Sequence, residues 1–440
     1  MAAVGTPAGE GAIAILRVSG PESKRILDAV FKPRRGKVVT RPRHAYFGAI
    51  EDETGLLDHG VAIWYRAPAS YTGEEVVELS CHGGLLVAQR ILELLLRKGA
   101  RLADPGEFTR RAFLNGKMDL TQAEAVMDLI RAQTDLALRA ANQQLNGNLG
   151  ADLLELQDGL LTVLAHVEAY IDFPDEAIDP ETAGALAGRV EEIKGRIDQL
   201  LASAEQGRML RHGLRTVIYG QPNVGKSSLL NLLLGFERAI VSELPGTTRD
   251  TIEEVINVQG IPVRLVDTAG ARLTQDVLEQ AGIDRTAREL GDADLVLWVV
   301  DGSLPRQAVA PPAQPYLLIL NKSDLGTHPD WAQVPDAIRF SCRERRGLDA
   351  LRKAIFGFFL RSGGNSGDNF RIAISVRHQR CLTRARGALE EALMSFREEN
   401  SPELTAVELR EALDAIGEVV GKTDTEDLLG RIFSEFCIGK

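Results

Sequence analysis

The apolar positions of this chain change period along its length, and the changes divide it. Through residues 1–115, short alternating runs ("GAIAILRVSG", "GVAIWYRAPAS", "EEVVELSCHGG") read as strands and "LLVAQRILELLLRKG" as a helix, an α+β pattern. From about Thr121 the spacing is helical for many turns, in "TQAEAVMDLIRAQTDLALRAANQQL" and "GADLLELQDGLLTVLAHVEAYI". "IDFPDEAIDP" interrupts these helices, and a further one runs through "RVEEIKGRIDQLLASAEQ". At "RHGLRTVIYG" the strand period returns and opens a strand–loop–helix series to roughly residue 360. "RSGGNSGDN" (361–369) reads as a linker, and 376–437 is helical again. The economical architecture is multidomain. An α+β N-domain spans 1–115, a discontinuous all-α domain is built from 116–210 and 366–440, and an α/β nucleotide domain is inserted at 211–365.

A chain of 440 residues suits about three domains. At 44% hydrophobic and 26% charged, its composition is that of a globular protein with real cores. No segment reaches the ~18 unbroken apolar residues of a membrane helix. The N-terminal apolar run has no basic region before it and carries Glu10 and Arg17 around it, unlike a signal peptide. Cys81, Cys342, Cys381 and Cys437 lie far apart without a CxxC, which points to a reduced, cytoplasmic setting rather than disulfides or zinc. The net charge of −11 argues against broad nonspecific nucleic-acid binding. Against that background "FKPRRGKVVTRPRH" (31–44) is strongly basic, and reads either as a solvated loop and edge strand or as a local nucleic-acid contact.

The chemistry concentrates in the inserted domain. "GQPNVGKS" (220–227) follows a strand and precedes an apolar helix, the setting of a P-loop. Gly220 and Gly225 let the backbone curl so that N–H groups, including those of Asn223, Val224 and Ser228, face phosphates. Lys226 reaches the β- and γ-phosphates, and Ser227 offers a hydroxyl to Mg²⁺. "GTTRD" (246–250) adds Thr248 for Mg²⁺ and the γ-phosphate, with Thr247 beside it. "DTAG" places Asp267 near the metal's water shell, followed by Thr268, Ala269 and Gly270. In "NKSD", Asp324 can accept from the two donors on guanine's pyrimidine edge while Asn321 serves its acceptor edge and Lys322 lies between; Ser341 of "SCR" closes over the base. The series favours GTP.

One position breaks the expected pattern: the residue after "DTAG" is Ala271, where small signalling GTPases carry a water-orienting glutamine. Asn223 and Ser242, with the backbone of "SELPGTT", can form an oxygen cage for a monovalent cation, supplying positive charge in place of an arginine finger. Glu279 either orients water through a bridge or is a solvated helix charge. The Cys81–His82 pair before two glycines reads as a turn rather than a nucleophile with its base. Cys437, four residues from the end, is either a reactive thiol near Lys440 or part of a docked tail.

"GTPAGEGAIAILRVSG", "VVELSCHGG", "PGEFTRRAFLNGKMDLTQAEAVMDLI", "GQPNVGKSSLLN", "PGTTRDT" and the terminal "FCIGK" together resemble the tRNA modification GTPase family MnmE, also called TrmE, over the whole chain. The resemblance implies a folate-binding N-domain, a discontinuous helical domain and an inserted Ras-like G domain. It implies a homodimer joined by the N-domains, and a flavoprotein partner of the MnmG type in a heterotetramer. The implied reaction installs an aminomethyl or carboxymethylaminomethyl group at C5 of the wobble uridine of certain tRNAs. Its carbon comes from a 5-formyl or 5,10-methylene tetrahydrofolate, and its nitrogen from ammonium or glycine. The positions matching the family's K⁺ ligands are Asn223, Ser242, the Leu244 backbone and Thr247, and Glu279 matches its water-orienting glutamate. Arg17, Glu78, Lys117 and Lys440 match its folate-binding positions; a carboxylate such as Glu78 suits the adjacent donors of a pterin. The rival readings from the same G motifs are a ribosome-assembly switch without one-carbon chemistry and a dynamin-like assembly GTPase.

Overall fold

A computed structural model describes all residues except 37, 173–182, 238–252, 268–287, 308, 364–373, 398–401 and 423–425. The chain divides into two units, Met1–Met127 with Gly417–Lys440, and Asp128–Ile416.

In the first unit, β1 (Ala2–Val4), β2 (Gly11–Ser19), β3 (Phe31–Pro33), β4 (Ala45–Asp52), β5 (Gly55–Tyr65) and β6 (Val76–Gly83) form one sheet in the order β1-β2-β6-β5-β4-β3. Every neighbouring pair is antiparallel. The period of two decides the faces. Ala14, Leu16 and Val18 of β2 and Val77, Leu79 and Cys81 of β6 join a core with Ile26 and Leu27 of α1 (Ser23–Val30) and Ile91, Leu94 and Leu95 of α2 (Leu85–Arg97). Arg17 and Glu78, directly paired across β2 and β6, take the opposite face. Cys81–His82 is strand, not the turn expected from its glycines: alternation buries Cys81 and leaves His82 exposed, bonded to Asp58 at 2.7 Å. Burial pushes the Cys81 thiol up to about 11, which removes it as a nucleophile.

A buried carboxylate anchors the next element, α3 (Glu107–Leu114). Glu107 accepts from Arg101 Nη1 at 2.8 Å, from the Asp104 N–H at 3.0 Å and from Arg111 Nη2 at 2.7 Å. Arg111 continues to Glu74 at 2.8 Å, and Glu74 accepts from Ser19 Oγ at 2.8 Å. The network therefore ties α3 to the end of β2. The chain's last helix, Glu426–Ser434, packs on this element, and Phe433 with the following Phe436 joins Phe113 of α3 and Leu120 and Met127 of the next helix in one cluster. Beyond it the tail adds an antiparallel bridge from Ile438 to Pro105, and Phe108 N donates to Lys440 O at 3.1 Å. Gly439 is required there: its φ is +97°, and a Cβ would stand 2.5 Å from Val4 O.

The second unit holds β7 (Leu214–Tyr219), β8 (Glu253–Val258), β9 (Ile261–Asp267), β10 (Leu295–Asp301), β11 (Tyr316–Asn321) and β12 (Ile338–Arg339), in the order β12-β11-β10-β7-β9-β8. All pairs are parallel except the β8–β9 hairpin. Leu295–Val299 of β10 are buried, as a central parallel strand covered on both faces requires. Helices precede and follow this sheet in the sequence. The helical spacing read from about residue 121 resolves into two helices, α4 (Leu120–Arg131) and α5 (Asp135–Leu145), with Thr134 Oγ1 capping α5 at the Ala137 N–H, 3.4 Å away. α6 (Asn148–Asp172), α7 (Ala183–Ala202) and α8 (Ala204–His212) precede the sheet, α9 (Lys226–Glu237) and α10 (Leu348–Arg361) belong to it, and α11 (Val376–Arg397) and α12 (Pro402–Val420) follow. Gln157 of α6 donates to Leu413 O of α12 at 3.2 Å, joining segments far apart in sequence. The final helix is α13 (Glu426–Ser434). Among the described residues, the β10–β11 connection contains no helix; Trp331 packs instead on Trp298, Leu318 and Leu320, its indole N–H bonded to Leu304 O at 2.9 Å.

Burial alone would raise the Glu107 carboxyl, but hydrogen bonds from Arg101, Asp104 N–H and Arg111 outweigh it and hold it at about 2. Its stabilisation is therefore complete above the ordinary carboxyl range and lost as pH falls towards about 2. The lowering corresponds to about 3 kcal/mol. Glu107→Gln should destabilise the first unit by a similar amount at pH 7 and flatten its acid dependence. Native-state hydrogen exchange of β2 and β6 amides checks this; unchanged protection refutes it.

Candidate active site

The P-loop runs from the end of β7 into α9. Val224 is buried beneath it in the sheet core, while Asn223 takes a left-handed conformation with φ +60° and is exposed. Ser227 and Ser228 are exposed in the first turn of α9, where free N–H groups and the helix dipole favour an anion. Lys226 Nζ spans the loop, bonding Gly220 O at 2.9 Å and Gln221 O at 2.8 Å. Gly225 has φ +101°, and a Cβ would fall 2.2 Å from Asn321 Nδ2. The second glycine is thus demanded by the neighbouring loop as well as by the turn.

That neighbour is the end of β11. The buried Asn321 amide donates to Val224 O at 2.8 Å and its Oδ1 accepts from Cys342 N at 3.2 Å. A side-chain amide has two N–H donors and two acceptor sites, so capacity remains for a ligand. Asp324 Oδ1 accepts from the buried Ser341 hydroxyl at 2.6 Å, which holds the carboxyl below its usual range. Ser341 also accepts from Glu344 N at 3.1 Å. Phosphate loop, base-reading loop and closing loop are therefore linked through Asn321 and Ser341. Lys322, also left-handed at φ +63°, places its ammonium 2.6 Å from Asp301 Oδ2. Asp301 was not singled out by motif; its only local signal is an acid ending the apolar run "LVLWVVD".

Asp267 ends β9, its backbone paired with Ile218 of β7. Ser242, Leu244, Thr247, Thr248, Thr268, Ala269, Gly270, Ala271 and Glu279 lie outside the described residues.

The first unit holds a second cluster. Arg17 Nε donates to Glu78 Oε1 at 2.9 Å, and Tyr65 Oη donates to Oε2 at 3.3 Å. The Arg17 guanidinium lies 6.0 Å from the Tyr71 ring centre. Half-burial and the Arg17 charge lower the Lys440 ammonium's pKa, bringing tail and sheet into one electrostatic site. Lys117 donates to Pro68 O at 3.3 Å. Cys437 is exposed, and its carbonyl accepts from Lys440 N at 3.2 Å. Tyr65 and Tyr71 carried no signal in the sequence that would associate them with Arg17.

These arrangements can be compared with known proteins. Residues 1–117 match the N-terminus of the GTP-binding protein TrmE, and 120–437 match the MnmE helical domain. The chain belongs to the MnmE family. The family's tRNA modification GTPase MnmE from Akkermansia muciniphila is 54% identical, over 100% of this chain and 98% of its own. The one from Aquifex aeolicus is 45% identical over 100% and 99%. The G domain of the T. maritima FeoB iron transporter overlaps 32% of this chain and 96% of its own at 24% identity and a TM-score of 0.24, too weak to bear on the assignment.

Asn321→Ala should weaken GTP binding about 5- to 150-fold, the equivalent of the 1–3 kcal/mol lost when a buried polar group is left unpaired. Titration with a fluorescent GTP analogue measures it; unchanged affinity would remove Asn321 from the site.

Proposed function

We propose that this chain hydrolyses GTP with help from K⁺, and that as a homodimer with a flavoprotein partner it modifies C5 of the wobble uridine of certain tRNAs. Family membership supports GTP hydrolysis in tRNA modification. The observation that carries the GTP reading is the tie from Val224 through Asn321 to the loop bearing Cys342, beside Asp324. Asp324 offers a carboxylate to guanine's donor edge, where adenine has no matching pair of donors.

Each residue then has a role in the reaction. Lys226 leaves its loop carbonyls for the phosphates, and the first turn of α9 receives their charge. The exposed Ser227 hydroxyl, with Thr248, suits Mg²⁺. Asn223 is exposed with no side-chain partner among the described residues, so its carbonyl is available to K⁺ alongside Ser242, the Leu244 backbone and Thr247. The cation supplies positive charge where it develops during phosphoryl transfer. Glu279 orients water in place of the residue that Ala271 cannot provide. GTP hydrolysis should be strongly faster in K⁺ than in matched Na⁺ buffer, with subunits pairing in GDP plus aluminium fluoride. Glu279→Gln should slow hydrolysis at least about 10²-fold, the scale of losing one such group, with GTP affinity nearly intact. Equal rates in both salts would sink this mechanism and favour a slow assembly switch.

For the carbon donor, a reduced folate fits the second cluster by charge and shape. Glu78 accepts from the pterin's adjacent donors, Tyr65 and Tyr71 flank a flat ring, and Arg17, Lys117 and Lys440 suit its carbonyl and glutamate tail. Cys437 remains available as a thiol beside that site. The location inferred is cytoplasmic; among the described residues no helix is long and apolar enough to cross a membrane. The Lys440 ammonium's pKa is lowered, and an anion placed against it raises that pKa, so binding takes up protons at pH values near it. Affinity for 5-formyltetrahydrofolate should therefore fall as pH rises through the Lys440 pKa, and Arg17→Ala should weaken it at least tenfold. Calorimetry in two buffers of different ionisation heat reads both; wild-type affinity in Arg17→Ala rejects the site.

A further inference from the structure

One edge of the first unit gathers cations, several of them without an ion pair among the described residues. Residues 31–44 contain six Lys or Arg and no Asp or Glu, in a chain whose net charge is −11. β3 is the last strand of its sheet, so this basic segment begins on a free edge. The segment after it is anchored at several described residues. Val39 is 1% exposed in the core, Arg34 N donates to Phe47 O at 2.9 Å, and Arg43 N donates to Trp64 O at 2.7 Å. The Tyr46 hydroxyl accepts from Arg41 N at 3.0 Å. With the backbone fixed, the side chains of Arg34, Arg35 and Arg41 face solvent and take part in no ion pair among the described residues. Lys32 differs, being bonded to Glu51. On the neighbouring strand, Phe47 is 50% exposed and stacked with His59 at 6.0 Å and 15°.

Like charges held together at an edge repel, and for Arg34, Arg35 and Arg41 no ion pair among the described residues offsets that cost. A partner with regularly spaced anions would. Guanidinium groups match phosphate oxygens, and an exposed aromatic pair offers a stacking face to an unpaired base. A lipid surface fits less well, because the cations sit on a strand-edge loop rather than on an amphipathic helix with an apolar face to insert. We infer that the edge formed by β3, Arg34, Arg35, Arg41 and the Phe47–His59 stack is a contact surface for folded RNA. The inference rests on the tRNA reading above and gives it a location.

The test is tRNA binding as a function of salt, with full-length protein carrying R34A/R35A/R41A. Each phosphate contact contributes about 0.7–0.9 to the slope of log K against log salt, so losing three should lower the slope by about 2. Affinity near 100 mM salt should drop at least tenfold. R34K/R35K/R41K should keep most of the slope, GTP hydrolysis should be unchanged in both variants, and hydrogen exchange of β2 and β6 amides should be unchanged as well, which reports an intact first unit. Wild-type affinity and slope in the alanine variant would overturn the surface while leaving the tRNA function standing. So would loss of binding to phosphatidylglycerol vesicles with tRNA binding intact, which would assign the edge to lipid. If the wild type binds no tRNA, the surface falls; mass spectrometry of the wobble uridine in cells lacking and regaining the protein then judges the function separately.

Discussion

A carboxylate buried between two guanidinium groups holds the first unit's working parts in place. Glu107 would be costly to bury alone; with Arg101 and Arg111 it becomes a fixed point. α3 begins there, the tail docks on α3, and Lys440 is thereby brought into the electrostatic field of Arg17. Breaking the pair would loosen α3, the docked tail and the end of β2 together.

The second unit uses a neutral group for the comparable task. Asn321 pins the phosphate loop to the loop that reads the base, and Gly225 leaves the room its amide needs. Sequence-local requirements and long-range ones meet at this contact. A side chain at 225 would damage the turn and the strut together.

Those local requirements explain what could be read in advance. β2, β6 and α2 follow from periodicity because one face of each is buried against the same core. The P-loop is legible because its glycines answer to backbone geometry. The α4–α5 break was hidden, since Thr134 sits in an unbroken helical pattern and acts only as a cap. Cys81–His82 misled because adjacent glycines outweighed strand alternation. The Lys322–Asp301 pair and the approach of Tyr65 and Tyr71 to Arg17 arise from chain crossings that no local pattern encodes. The joining of Arg17 and Glu78 is likewise a matter of register, visible once β2 and β6 are aligned.

The cavity beside the phosphate loop has an optical consequence. Trp298 and Trp331 line a cavity of about 210 Å³ that also borders Gly220–Val224, while the chain's third tryptophan, Trp64, belongs to the other unit. Two indoles thus share a chamber wall with the phosphate loop. Ultraviolet emission from Trp298 and Trp331 should therefore respond to changes in that loop, without an attached dye.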